Sequence, residues 1–213
     1  MECVRVKART SRTVQPIRLS RDINAMDKYF MHNSPRDRVL FICGICTGRR
    51  ISDILSLNVR DVARIDNHGR LKIRERLTIQ EGKTGKFADI VIHPKLRNVL
   101  SKYLHQRRKK CETLGELMNE PLLKSQKPRR NGEHRITRRH ALRVLKEAAR
   151  ACGIDSRIGT HSLRKTFGYK QYQNDVGIEI IQRALNHRSP ETTLTYIGIT
   201  QDDIDEGILS LEW

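Results

Sequence analysis

The chain has 213 residues, enough for one conventional domain or two small ones, and its 37% hydrophobic share rules out a disordered basic tail. Lys and Arg total 42 against 24 Asp and Glu, a formal charge of +18, and such an excess on a globular chain implies an anionic partner. Nucleic acid is the commonest such partner and an anionic membrane surface the lesser alternative.

Residues 1–19 carry Arg5, Lys7, Arg9, Arg12 and Arg18 against the single acid Glu2, with no steady period, and read as an extended basic arm able to touch DNA. From Ser20 the pattern becomes helical through Ile23, Met26 and Phe30. Ser34-Pro35 then supplies an N-cap and a first-turn proline for a second helix. That helix is apolar almost all round (Val39, Leu40, Ile42, Cys43), which predicts burial, and Thr47-Gly48 ends it. Ser52-Asp53 opens a short helix through Leu57.

Between Leu71 and Ile92 the period changes to two. Leu71 and Ile73, Leu77 and Ile79, and Ile90 and Ile92 predict a small three-stranded antiparallel sheet with Gly82-Lys83-Thr84-Gly85 as a hairpin tip. Pro94 opens a helix to about Arg108, and the basic stretch from Lys109 to Arg135, with Lys127, Arg129 and Arg130, reads as including a loop over the ligand. Thr137 caps a helix to Cys152 with Gly153 as its stop. Leu142, Leu145 and Ala149 lie on one side, and Arg139, Arg143, Lys146 and Arg150 on an adjacent side that is either a solvated face or a DNA contact. Helices from Thr160, over Ile178 to Leu185, and from Ser189-Pro190 follow. Gln201 to Trp213 reads as a terminal amphipathic helix. The fold class is mainly α (α+β), a helical bundle with a small sheet.

Several signals carry no chemistry. Gly82-Lys83-Thr84 mimics the end of a phosphate-binding loop, but Leu77 stands where the leading glycine belongs and a strand pattern follows. Cys43-x-x-Cys46 lies inside an apolar helix without a second Cys/His pair, so two core thiols are expected. No close carboxylate pair offers ligands for a divalent metal, and neither metal nor cofactor is expected. The five scattered cysteines read as reduced, and ten aromatics without a basic, glycine-rich cluster favour duplex DNA over single strands. No apolar run approaches the ~18 residues of a spanning helix, and Met1 to Arg12 is charged where a secretory signal is apolar, so a soluble cytoplasmic protein is expected.

Three constellations remain. In Thr47-Gly48-Arg49-Arg50-Ile51-Ser52-Asp53-Ile54-Leu55 an arginine follows a buried helix, with a carboxylate three residues on to hold its guanidinium. In Thr160-His161-Ser162-Leu163-Arg164 an imidazole and a guanidinium share one side of a helix's first turn. In Leu185-Asn186-His187-Arg188-Ser189-Pro190-Glu191-Thr192-Thr193-Leu194-Thr195-Tyr196 a histidine precedes a short helix that carries a tyrosine near its far end.

Together, and in this order, these residues resemble the catalytic box of the tyrosine recombinase, or phage integrase, family from about Ser20 to the C-terminus. The second arginine and second histidine are 23 positions apart (164 to 187), and the tyrosine follows 9 later (187 to 196), as in the family. Planar guanidinium forks at Arg50 and Arg164 suit the non-bridging oxygens of a phosphodiester, His161 and His187 can donate hydrogen bonds, and His161 can also accept the phenol proton. The cationic surroundings are expected to ease ionisation of Tyr196, the nucleophile. The resemblance implies a 3′-phosphotyrosyl intermediate with release of a 5′-hydroxyl, and Lys83 as the proton donor, with Lys86 the competitor. Asp53 is expected to buttress the arginine. Tyr29, Tyr103, Tyr169 and Tyr172 read as packed or flanking residues.

The chain departs from the family in having only about 19 residues before the catalytic region, so residues 20–213 are expected to form a catalytic domain without a separate N-terminal core-binding domain, or a fragment. Sequence reading is left to the arm, the Lys109 to Arg135 stretch and the Thr137 helix, or to an accessory DNA-binding protein. Arg49 stands where the family commonly has an apolar residue; register favours Arg50 as the catalytic one. The resemblance also implies that Ile204, Ile208, Leu209, Leu211 and Trp213 dock on a neighbouring subunit within a tetrameric synapse on DNA. The expected activity is site-specific recombination or integration. The alternatives are a type IB topoisomerase-like activity and a non-catalytic DNA-binding regulator.

Overall fold

The structure is a computed structural model that describes residues 13–128, 131–199 and 201–211. Helix α1 (Ser20–Asn33) leads into α2 (Pro35–Thr47) through Ser34, whose hydroxyl accepts from the Asp37 N–H at 3.3 Å while Pro35 presets the first turn. Val39, Leu40, Phe41, Ile42 and Cys43 of α2 are at most 1% exposed. Helices α1, α5 (Pro94–Arg108), α7 (Arg138–Ala151) and α8 (Thr160–Gln173) pack around it. A helix without a polar face must be enclosed on all sides, and each large side chain so buried contributes about 1.5–3 kcal/mol. The chain leaves α2 at Gly48, whose left-handed φ of 63° would strain any other residue and turns the chain through Arg49 and Arg50 into α3 (Ile51–Ser56).

The strands differ from the expected three-stranded sheet. After α4 (Val59–Val62), β1 (Ala63–Ile65) pairs antiparallel with β2 (Leu71–Ile73), Ala63 opposite Ile73. A separate hairpin pairs β3 (Arg76–Gln80) with β4 (Phe87–Val91), Leu77 opposite Ile90. Only Arg74 and Glu75 separate β2 from β3, yet the two strands do not pair with each other. Strand β1 escaped detection because three residues show no alternation. Ile92, expected in the last strand, lies just past β4, 1% exposed, and its N–H donates to the Glu75 carbonyl.

The basic stretch 109–135 is also more structured than a loop. Thr113 and Glu116 form a capping box for α6 (Leu114–Asn119), and Leu117, Leu122 and Leu123 are buried. Lys127 is exposed, on the edge of a broad groove with Arg36, Arg107 and His140; Arg129 and Arg130 lie outside the described residues. Arg135 donates to the carbonyls of Leu55, Ser56 and Leu57 and so ties α3 to this stretch.

A second apolar cluster of Tyr169, Ile181, Leu185 and Ile197 joins α8 to α9 (Ile178–Leu185) and α10 (Pro190–Ile197). Gly168 permits this: a Cβ there would stand 2.6 Å from Ile197 Cγ2. The described part of the expected arm is packed instead of free. Ile17 is 1% exposed and donates its N–H to Thr166 Oγ1 at 2.8 Å, and Gln15 donates to the Arg157 carbonyl. Pro16 and Ile17 are buried and Val14 packs at Gly159; residues 1–12 lie outside the described residues. Arg18 stacks over Tyr169, donates to the Gly198 carbonyl and pairs with Asp203 of α11 (Gln201–Leu209). Ile208, Leu209 and Leu211 are exposed; the Ile204 side chain and Trp213 lie outside the described residues. No helix among the described residues is long and apolar enough to cross a membrane.

Candidate active site

The site forms where the start of α3, the β3–β4 turn, the first turns of α8 and the end of α10 meet. Its anchor is Glu81, 1% exposed at the end of β3. One oxygen accepts from Arg50 Nη1 at 2.6 Å, and the other from Arg49 Nη1 at 2.8 Å. Thr84 Oγ1 and Asn186 Nδ2 also donate to it. Burial would raise the carboxyl's pKa, but the hydrogen bonds from Arg50, Asn186 and Thr84 outweigh it and bring it to about 2.

The two adjacent arginines play different parts. Arg49, 5% exposed, also donates to the carbonyls of Thr47 and Ala184, which knits α2, the hairpin and α9 together. Arg50, at the N-cap of α3, retains partial exposure beside His161 and Arg164. Asp53 does not reach the arginine as expected. Its Oδ1 accepts from the Gly82 N–H and the Ser52 hydroxyl, both at 3.2 Å, and its buried Oδ2 has no hydrogen-bond partner among the described residues. The spacing misled because a residue three positions into a helix points towards the packed hairpin, and the carboxylate that meets Arg50 comes from β3.

Arg164 is 3% exposed and donates to the carbonyls of Gly48 and Leu185. Burial, with neighbouring Arg50 and Arg49, takes its pKa down to about 10, so it stays cationic at neutral pH. Its helix neighbour His161 places Nδ1 3.3 Å from the Tyr196 hydroxyl. Burial first, then Arg138, Arg164, Lys165 and Arg50, lower the His161 pKa, which keeps the ring neutral and able to accept a proton. His187 is taken down to about 4 by burial, Arg164 and Arg50; its Nδ1 meets Thr193 Oγ1 at 3.2 Å, and its ring lies 4.8 Å from that of Tyr196 in an edge-on arrangement.

For Tyr196 the net effect on the phenol is opposite to the expectation. Burial outweighs Arg164 and Arg50 and raises its pKa. The structure thus brings Arg50, His161, Arg164, His187 and Tyr196 together. Lys83 is exposed in the turn next to Glu81, and among the described residues makes no hydrogen bond or ion pair. On α7, Arg139, Lys146 and Arg150 are exposed, whereas Arg143 pairs with Glu147 at 2.8 Å. Cys43 and Cys46 lie in the α2 packing, with burial pushing their thiols up to about 12 and about 11. No group of three or more metal-ligating side chains occurs among the described residues.

Sequence reading missed Glu81, Arg49 as a structural arginine, and Lys165. The last is 9% exposed, and its ammonium lies 5.3 Å from the centre of the Tyr196 ring. The run Arg164-Lys165 was the available signal, but nothing local in it tells which neighbour either cation meets.

Comparison with known proteins accords with this geometry. The chain is 41% identical over 189 residues to the probable integrase/recombinase YoeC of Bacillus subtilis, which covers 89% of this chain and 92% of that protein. Tyrosine recombinase XerA of Pyrococcus furiosus is 28% identical over 173 residues, 81% of this chain and 54% of the relative, so the chain spans about half the length of that longer protein. Among solved structures, XerA recombinase superposes with a TM-score of 0.69 at 18% identity, covering 94% of this chain and 68% of that one. The post-cleavage complex of XerH recombinase with palindromic difH substrate gives 0.65 at 18% identity, covering 93% and 54%. At that identity the likeness is one of fold. The phage integrase family model matches residues 19–202, and with the identity to YoeC this establishes that the chain belongs to the phage integrase family, the tyrosine-type site-specific recombinases.

Proposed function

We propose that this chain cleaves and rejoins duplex DNA with Tyr196 as nucleophile, through a 3′-phosphotyrosyl intermediate. The observation that carries the reading is the 3.3 Å approach of a neutral His161 to the Tyr196 hydroxyl beside two guanidinia. His161 accepts the phenol proton as the oxygen attacks. Arg50 and Arg164 hold the non-bridging oxygens and offset the charge that grows in the transition state. His187 donates from its free nitrogen, and the departing 5′-oxygen takes its proton from Lys83 when the exposed turn closes on DNA. The ester conserves the bond energy, so a 5′-hydroxyl from another duplex reverses the step with exchanged partners.

Duplex DNA is the partner the charge of +18 calls for. The α7 cations Arg139, Arg143, Lys146 and Arg150, with Lys127, Arg129 and Arg130, are offered as its contacts, although Lys127 faces a groove distant in sequence from the site residues. Exposed Ile208, Leu209 and Leu211, with Ile204 and Trp213, are offered as the surface that assembles protomers on DNA.

The test is a nicked duplex carrying the DNA that flanks the gene, incubated in excess chelator. The parent traps a covalent adduct and Tyr196→Phe does not, while duplex binding persists. Synaptic complexes that hold two DNA sites distinguish a recombinase from a type IB topoisomerase. Binding with no adduct in the parent marks a non-catalytic regulator.

A further inference from the structure

A concavity of about 80 Å³ opens between the start of α3 and the first turns of α7 and α8, lined by Arg50, Ser52, Thr160, His161, Arg164 and Arg138. That volume has room for a small tetrahedral anion. No carboxylate lines it. Three guanidinia and an imidazole therefore face one small space, an arrangement whose mutual repulsion is relieved when an anion enters.

The three arginines differ in what they already hold. Arg50 is paired with Glu81, and Arg164 donates to two backbone carbonyls. Arg138 is exposed and, among the described residues, has neither an ion pair nor a hydrogen bond. It is the first residue of α7, fixed behind the Thr137 cap, whose hydroxyl accepts from the His140 N–H at 3.1 Å. It also acts on His161 more strongly than Arg164, Lys165 or Arg50 does, which puts its charge on the histidine side of the concavity.

We propose that Arg138 is a phosphate-binding residue of this site, a third guanidinium that meets the anion from the His161 side. The inference rests on the reading of the concavity as the seat of the reacting phosphate. It adds a residue that the sequence motifs do not contain. A free fork at a helix start can engage two oxygens of one phosphoryl group without breaking any existing bond.

Inorganic phosphate is the probe, titrated into the full chain with the His161 ring resonances as the readout. The parent is expected to show a saturable shift, which Arg138→Gln weakens roughly tenfold, the worth of one charge-assisted hydrogen bond. Arg138→Lys recovers part of the affinity, and Lys102→Gln, which removes the same charge from the exposed face of α5, leaves it unchanged. Equal affinity in Arg138→Gln and the parent, or no saturable shift in the parent, overturns the proposal. The covalent-adduct assay at Tyr196 uses DNA and a different variant, so failure there is a separate result.

Discussion

Glu81 and Arg50 are joined at 2.6 Å, across 31 positions of sequence, by a carboxylate that is almost fully buried. The same carboxylate holds Arg49 through its other oxygen, so a single side chain on the β3–β4 hairpin binds the outward and the inward arginine together. The hairpin that carries Lys83 is thereby tied to Arg50, the arginine proposed to bind phosphate.

Removal of this anchor is expected to be severe. Glu81→Ala leaves two guanidinia without their counter-charge, one of them buried, and should cost about 3–5 kcal/mol. Urea unfolding followed by circular dichroism measures it. The same pair sets an acid limit. The carboxyl's pKa is depressed in the fold to about 2 from 4.5, so its stabilisation is complete above the unfolded value and is lost as pH falls from about 4.5 towards 2. The unfolding midpoint of the parent should drop across that window, and that of Glu81→Gln should drop less.

His161 has a pKa below its ordinary 6.5 and must be neutral to accept the Tyr196 proton. The second-order rate of adduct formation, which reports the free protein's groups, should therefore rise with pH through that lowered value and level off near neutrality. His161→Gln should abolish this limb and slow adduct formation by ~10²–10⁴-fold. A pH-rate profile from pH 5 to 8 provides the check, and an unchanged acid limb in the variant counts against the assignment.

Lys165 lies over the Tyr196 ring, and among the described residues no carboxylate is bound to it. A cation over an aromatic face contributes about 0.5–2 kcal/mol to holding the ring, so Lys165→Met should slow adduct formation roughly tenfold while the melting temperature holds or rises, since a desolvated charge has been removed. Lys165→Arg, which keeps the cation, should recover most of the rate.

Gly168→Ala tests whether α8 and α10 must touch. The added methyl meets Ile197 Cγ2 at 2.6 Å and pushes away the helix that carries Tyr196. A loss of about 1–3 kcal/mol in stability is expected from such overpacking, with a fall in adduct rate larger than in Gly69→Ala, where a Cβ meets nothing within 4 Å but must tolerate a φ of 72°.

Most helices were legible because their ends are written in local chemistry. Ser34-Pro35, Thr137 and Ser189-Pro190 cap α2, α7 and α10 where expected, and Ile178–Leu185 is the predicted span of α9. Pairing was not legible in the same way: β1 is three residues long, and nothing local in Ala63–Ile65 distinguishes a ribbon partner from a loop. The site shows the same division. Arg50, His161, Arg164, His187 and Tyr196 stand in spaced motifs, whereas Glu81 and Arg138 are a lone acid and one arginine among many, and become visible only when the fold brings them to residues 31 and 23 positions away (81 − 50 and 161 − 138). Asp53 was misread for the same reason, since sequence proximity to Arg50 does not decide which way its carboxylate points.

The central claim is that the Tyr196 oxygen attacks a phosphorus. Trapped adduct from a nicked duplex, digested and sequenced by mass spectrometry, should carry a nucleotide on the Tyr196 phenol and on no other residue, with the DNA joined through its 3′-phosphate. A nucleotide on Tyr29, Tyr103, Tyr169 or Tyr172, or a 5′-linked adduct, would contradict the account.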